Sequence, residues 1–77
     1  VIINKEFGGE TSKAGMIENW PGEIEVDGYE LMSRMRKHAE KFNAEIVDGT
    51  VEKIEKTGHC LNVTVGDVVY HTPSVVV

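Results

Sequence analysis

Residues 8–22 read GGETSKAGMIENWPG and lie between a short apolar stretch, Val1–Ile3, and a segment of helical period. Few arrangements suit such a stretch. The Gly8-Gly9 pair lets backbone approach a neighbour closely, because neither residue carries a Cβ. Glu18 and Asn19 put two hydrogen-bonding side chains beside Trp20, and Pro21-Gly22 closes the stretch with a turn signal. A loop of roughly 15 residues is long for a compact domain, and such loops are functional or disordered. Met16, Ile17 and Trp20 argue against disorder.

The flanking segments read as an α/β chain. Val1–Ile3 favours strand through its β-branched residues. Glu23–Val26 is a short acidic connector. Asp27 and Gly28 are both good N-cap types for the helix expected over Tyr29–Phe42. Leu31, Met35, Ala39 and Phe42 repeat at helical spacing and share one face. Glu30 and Arg34 stand in the favourable order for an exposed i,i+4 pair. Asn43 suits the left-handed position after the helix.

Glu45–Asp48 reads as the next strand. Thr50–Lys56, Cys60–Val65 and Val68–His71, parted by turn signals at Thr57-Gly58 and Gly66-Asp67, read as an antiparallel meander with one covered face. Alternation sets Val51, Lys53 and Glu55 against Glu52, Ile54 and Lys56. Thr72-Pro73-Ser74 breaks the meander, and Val75–Val77 reads as a further buried strand.

Composition excludes several function classes. The chain has 77 residues, a net charge of −5 and one cysteine. Interspersed acids and bases argue against a phosphate-backbone binder, so no nucleic-acid partner is expected. The lone Cys60 cannot form an internal disulfide, and no metal-ligand spacing is present. Cys60 reads as a small apolar filler, not a nucleophile. No apolar run is long enough to span a bilayer, so no membrane partner is expected and the default compartment is cytoplasmic. Trp20 reads as a packing anchor, and His38 as structural or solvent-facing. Asn62-Val63-Thr64 matches the glycosylation pattern by chance.

A strand, then GGE, then IENWPG, then DGYELMSRMRKHAEKFNAEI resembles the FAD-binding domain of low-molecular-weight thioredoxin reductases and their relatives. Members of that family read GGQ, then VENxPG, then GxEL and a helix ending HAxxFGAE. The resemblance covers nearly the whole chain, and IENWPG with KHAEKFNAEI at this separation is its most specific part. It implies a partial Rossmann-like FAD/NAD(P)-binding domain of the ββα type over residues 1–77, with an antiparallel meander inserted at about 50–71. The family's first strand and G-x-G-x-x-G turn precede this region, and an Ala-Thr-Gly turn follows it. The chain lacks these, and its apolar ends make it read as a segment of a longer flavoprotein.

The resemblance implies hydride transfer from NADPH to FAD, then electron transfer to a disulfide of a thioredoxin-like protein or to another acceptor such as ferredoxin. The NADPH-binding region and the redox C-x-x-C would lie in a domain absent here, and the parent protein would be a homodimer. No catalytic residue is assigned; the parent protein would be an FAD-dependent NAD(P)H oxidoreductase of the thioredoxin-disulfide reductase type, and whether the isolated chain is an enzyme stays open. The implied FAD contacts are Asn4, Gly8, Gly9, Glu10, Asn19 and Val51. Asn4 stands where such strands end in an acid for the ribose hydroxyls; a turn-forming role is equally open. Gly8 and Gly9 would wrap the flavin or simply punctuate a turn. Glu10 departs from the family's Gln and cannot donate a hydrogen bond while it is a carboxylate. Asn19 offers a donor and an acceptor to the isoalloxazine edge, or else caps its own turn. Val51 would lie beside the adenine, or pack in the core. The rival reading is a small non-enzymatic α/β binding or interaction domain.

Overall fold

The computed structural model describes residues 1–77 as a mixed α/β chain. Its elements are β1 (Ile2–Asn4), α1 (Gly9–Ser12), β2 (Met16–Ile17), β3 (Val26–Asp27), α2 (Gly28–Lys41), β4 (Ile46–Asp48), β5 (Val51–Thr57), β6 (Cys60–Val65) and β7 (Val68–Thr72). They fall into two compact units, residues 1–2 with 6–46 and residues 3–5 with 47–77. β1 pairs with β4. The Ile2 amide donates to the Glu45 carbonyl, and the Gly49 amide to the Asn4 carbonyl, each at 2.8 Å. Both numbers rise together along the two strands, which is the parallel sense.

In the first unit the long helix α2 is the principal element. Asp27 is its N-cap: the carboxylate accepts from the Tyr29 amide at 3.1 Å and the Glu30 amide at 3.3 Å. At the other end Asn43 takes φ 64. Its amide donates to the Glu40 carbonyl, while the Ala44 amide reaches back to the Ala39 carbonyl. This is a Schellman closure with Asn in the position usually held by glycine. Leu31 is buried, Met35 and Ala39 are half-buried, and Phe42 departs from the expected stripe at 70% exposure. Phe42 is the C-cap, off the helical path, and its ring lies against His38 and beneath the Lys41 ammonium. His38 is solvent-facing, as expected.

The expected long loop is more ordered than its composition implied. It contains the single turn α1, where the Ser12 hydroxyl donates at 2.9 Å toward the Phe7 and Gly9 carbonyls. It also contains β2, paired antiparallel with β3, Met16 opposite Asp27 and Ile17 opposite Val26. The acidic connector therefore ends as a strand, and its buried Val26 joins Leu31 in the small core. The expected Glu30–Arg34 pair does not form: Arg34 pairs with Glu23, while Arg36 pairs with Glu40 at 3.2 Å.

A Cβ on Gly28 would collide with the Thr11 carbonyl oxygen, so α1 and the first turn of α2 touch through backbone. Gly8 is constrained twice. It has φ 69, and a Cβ there would lie 2.6 Å from the Ser12 Cβ and 3.0 Å from the Met32 side chain.

The second unit is the meander, in strand order β5-β6-β7, all antiparallel. Its hairpins turn at Gly58-His59, one residue later than expected, and at Gly66-Asp67. Ile54, Val63 and Tyr70 form one cross-strand row, and Val63 at its centre is buried. A bulge between Val51 and Lys53 corrects the expected alternation. The extra residue brings Val51 opposite Val65 and so onto the face of Ile54. One face then carries Val51, Ile54, Leu61, Val63, Val65, Val68 and Tyr70, with Lys56 and Thr72 flanking Leu61 at its end. The other carries the Lys53–Glu55 ion pair and a Thr57–Asn62–His71 hydrogen-bonded row. Val75–Val77, expected as a strand, is irregular. A strand exists through its ladder partners, and this stretch has none in the chain.

Two substitutions should separate these contributions in denaturant unfolding. Asp27→Ala should cost about 1 kcal/mol through the lost cap. Gly28→Ala should cost about 1–3 kcal/mol through overpacking against Thr11. A neutral Gly28→Ala would contradict the close backbone contact.

Candidate functional site

The expected site residues divide between the two units. Gly8, Gly9, Glu10 and Asn19 belong to the first, Asn4 and Val51 to the second.

In the first unit, β1 leads through a turn into α1, and the left-handed Gly8 sets the entry to that helix. Gly9 follows at φ 53, and a Cβ there would meet nothing within 4 Å. The backbone at Gly9 is thus open to a close neighbour, whereas Gly8 is held by the chain's own packing. Glu10 is exposed in the first turn of α1. Its carboxylate is free to accept from a hydroxyl, the only hydrogen-bonding role that form allows.

Asn19 is exposed between β2 and the Pro21-Gly22 turn. That turn is closed by the Glu23 amide donating to the Trp20 carbonyl at 3.1 Å, without help from the Asn19 side chain. The alternative in which Asn19 caps its own turn is not what the structure contains, and its amide donor and acceptor both remain available. Trp20 is not a packing anchor: it is 46% exposed, beside Asn19. The turn tips its indole outward, and the small core of this unit is closed by Val26 and Leu31 instead.

In the second unit Asn4 ends β1. Its amide nitrogen donates to the Val47 carbonyl at 3.1 Å and lies 3.3 Å from the Asp48 carboxylate. Both contacts bridge more than forty positions in sequence, so Asp48 was not linked to Asn4 by any local pattern. One signal was available: Asp48 is the last residue of a strand, and in open parallel sheets ligands gather beyond the strands' carboxyl ends. Val51 opens the edge strand β5 at the bulge and is 40% exposed, so it is not a core residue.

Cys60 is an exposed free thiol, not the apolar filler expected. It opens β6 opposite Thr57, on the polar face of the meander, which explains its exposure. Asn62 donates to Thr57 at 3.1 Å and its carbonyl oxygen lies 2.6 Å from His71 Nδ1, so its side chain is engaged within the sheet. No group of three or more His, Cys, Asp or Glu side chains is arranged to hold a metal. No helix is long and apolar enough to cross a membrane.

A mixed α/β segment whose glycine-opened turn precedes a capped helix and an antiparallel meander is a recurring architecture among known proteins. Thioredoxin reductase of Vibrio cholerae is 32% identical over 83% of the chain, which covers 20% of that protein. Glucosaminate ammonia-lyase of Pseudomonas fluorescens is 36% identical over 71% of the chain and 18% of its own length. The crystal structure of Lactococcus lactis thioredoxin reductase superposes with a TM-score of 0.87 at 29% identity, covering 94% of this chain and 24% of that one. A ferredoxin-flavin thioredoxin reductase from Clostridium acetobutylicum superposes at 0.79 with 25% identity, covering 96% of this chain and 26% of that one. No protein-family model matches. The chain is thioredoxin reductase-like over nearly its whole length, and it spans about a fifth of the length of the curated relatives it matches.

The exposed indole offers a check. Trp20 is the only tryptophan. Its emission should be solvent-like and readily quenched by iodide in the folded chain. A blue-shifted, protected emission would contradict the outward position of the Trp20 turn.

Proposed function

We propose that the chain is a cofactor-holding segment of an NAD(P)H-dependent FAD flavoprotein oxidoreductase of the thioredoxin reductase type. The observation that carries this reading is the agreement of the IENWPG and KHAEKFNAEI motifs with a structural likeness to thioredoxin reductases over 94% of the chain. The likeness to glucosaminate ammonia-lyase adds a second point. Two differently named activities share this segment, so what they share is better explained by binding than by one reaction. The word flavin in the name of the Clostridium relative supports the cofactor.

In this reading residues 1–77 form part of a Rossmann-like FAD-binding domain of the ββα type, with the meander inserted. Asn4, Gly8, Gly9, Glu10, Asn19 and Val51 contact FAD. The residues fit such a group where they can be tested: Gly9 has open space beside its backbone, and the Asn19 amide has no partner within the chain. FAD, when bound, supplies the hydride and electron chemistry. The chain's own residues bind and orient. Asn19 would present a donor and an acceptor to a ring edge bearing N–H and C=O groups, and Gly9 would let backbone approach. Electrons would come from NADPH, held elsewhere, and pass to thioredoxin or another acceptor. The protein would work as a homodimer in the cytoplasm.

The 77-residue chain should bind FAD weakly. The pyrophosphate in such folds sits on a glycine-rich turn and helix N-terminus, and no G-x-G-x-x-G occurs in this sequence. Titration following flavin fluorescence should show no stoichiometric binding at micromolar FAD. Within a protein that carries the segment and binds flavin, Asn19→Ala should weaken FAD binding by about 1–3 kcal/mol and shift the flavin spectrum. Cys60→Ser should leave NADPH turnover nearly unchanged. A silent Asn19→Ala beside an inactive Cys60→Ser would overturn this assignment of the Asn19 turn.

A further inference from the structure

We infer that Asp48 is the residue that accepts the ribose hydroxyls of an adenine nucleotide, and that Asn4 positions it for this. The inference rests on the flavin reading above and names the group that would hold the adenosine end of the ligand. A ribose diol presents two O–H donors, and a carboxylate offers only acceptors, which makes it the natural partner. Asn4 occupies the end of β1, where an acid of this kind is expected. Its amide nitrogen is already committed to the Val47 carbonyl, with the Asp48 carboxylate beside it. Asn4 therefore acts as a bracket, and the carboxylate comes from the neighbouring strand.

The bracket fixes where Asp48 lies. Asp48 is exposed at the carboxyl end of β4, and Asn4 lies at the carboxyl end of β1. The next residue, Gly49, is pinned from two sides. Its amide donates to the Asn4 carbonyl at 2.8 Å, and a Cβ there would lie 2.7 Å from Val65 Cγ1. The contact to Asn4 involves one Asp48 oxygen, Oδ1, and leaves Oδ2 to accept from a hydroxyl. An Asp48 that merely closed the strand pair would not need its second oxygen free, and its replacement by Asn would change nothing in solution.

The test is an NMR titration of the isotope-labelled chain with AMP, with the dideoxy analogue lacking both ribose hydroxyls, and with FAD. AMP should shift the Gly49 amide and the Asn4 side-chain amide. Loss of the diol, or Asp48→Asn, should each weaken AMP binding about tenfold. Asn4→Asp, which keeps the size of the side chain but loses its donation to the Val47 carbonyl and to Asp48, should weaken AMP binding as well. Circular dichroism of each variant should match the original chain, since the substituted side chains are isosteric. If Asp48→Asn binds AMP like the original chain, the assignment of Asp48 fails; if Asn4→Asp does, the bracket fails. Shifts induced by FAD elsewhere would then leave the flavin reading intact. If neither AMP nor FAD at millimolar concentration shifts any resonance, the Asp48 assignment fails, while the flavin reading stands or falls on the flavin spectrum of the Asn19→Ala protein.

Discussion

The first unit depends on a backbone-to-backbone contact, the Thr11 carbonyl resting against Gly28. Only a residue without Cβ fits there. Everything on either side is arranged to allow it. Gly8 turns the chain left-handed into α1, Ser12 holds that turn, and Asp27 begins α2 one residue before the contact. The apolar return is small, since Val26 and Leu31 are the buried hydrophobics of this unit. With so little core, local devices have large weight: a cap, a Schellman closure and one close approach define the helix as firmly as burial does.

The meander shows the opposite balance. It needs no special backbone contact at its centre, because Ile54, Val63 and Tyr70 form a continuous row across three strands. Its bulge does the particular work, moving Val51 onto the apolar face and leaving the charged residues of β5 along the outer edge. Such charges at an edge discourage pairing with other chains.

Much of this was legible in the sequence, for physical reasons that differ by element. The helix announced both ends, because Asp27 and Asn43 carry their capping chemistry in their residue types. The meander was visible because alternation and turn residues are local. Local patterns could not foresee a one-residue bulge, which puts Val51 on the face opposite to the one its alternation implies, while the alternation from Lys53 to Lys56 holds. Nor could they foresee the β2–β3 ladder, two residues long and closed by a partner nine positions away. Trp20 and Cys60 were read from average habits of their residue types, which exposure at a turn and on a polar sheet face overrode. Of the expected site, Gly9 and Asn19 keep free the groups that a flavin would need, while the commitment of Asn4 to Val47 appears only in three dimensions.

A cofactor-holding role makes sense of a segment with open backbone at Gly9 and a free amide at Asn19. The measurement that bears on it most directly is the visible absorption spectrum of the protein bearing this segment, purified without added cofactor and then mixed with NADPH. A flavin spectrum that bleaches on addition of NADPH is the predicted result. A colourless protein that takes up no flavin on incubation with FAD would contradict the account.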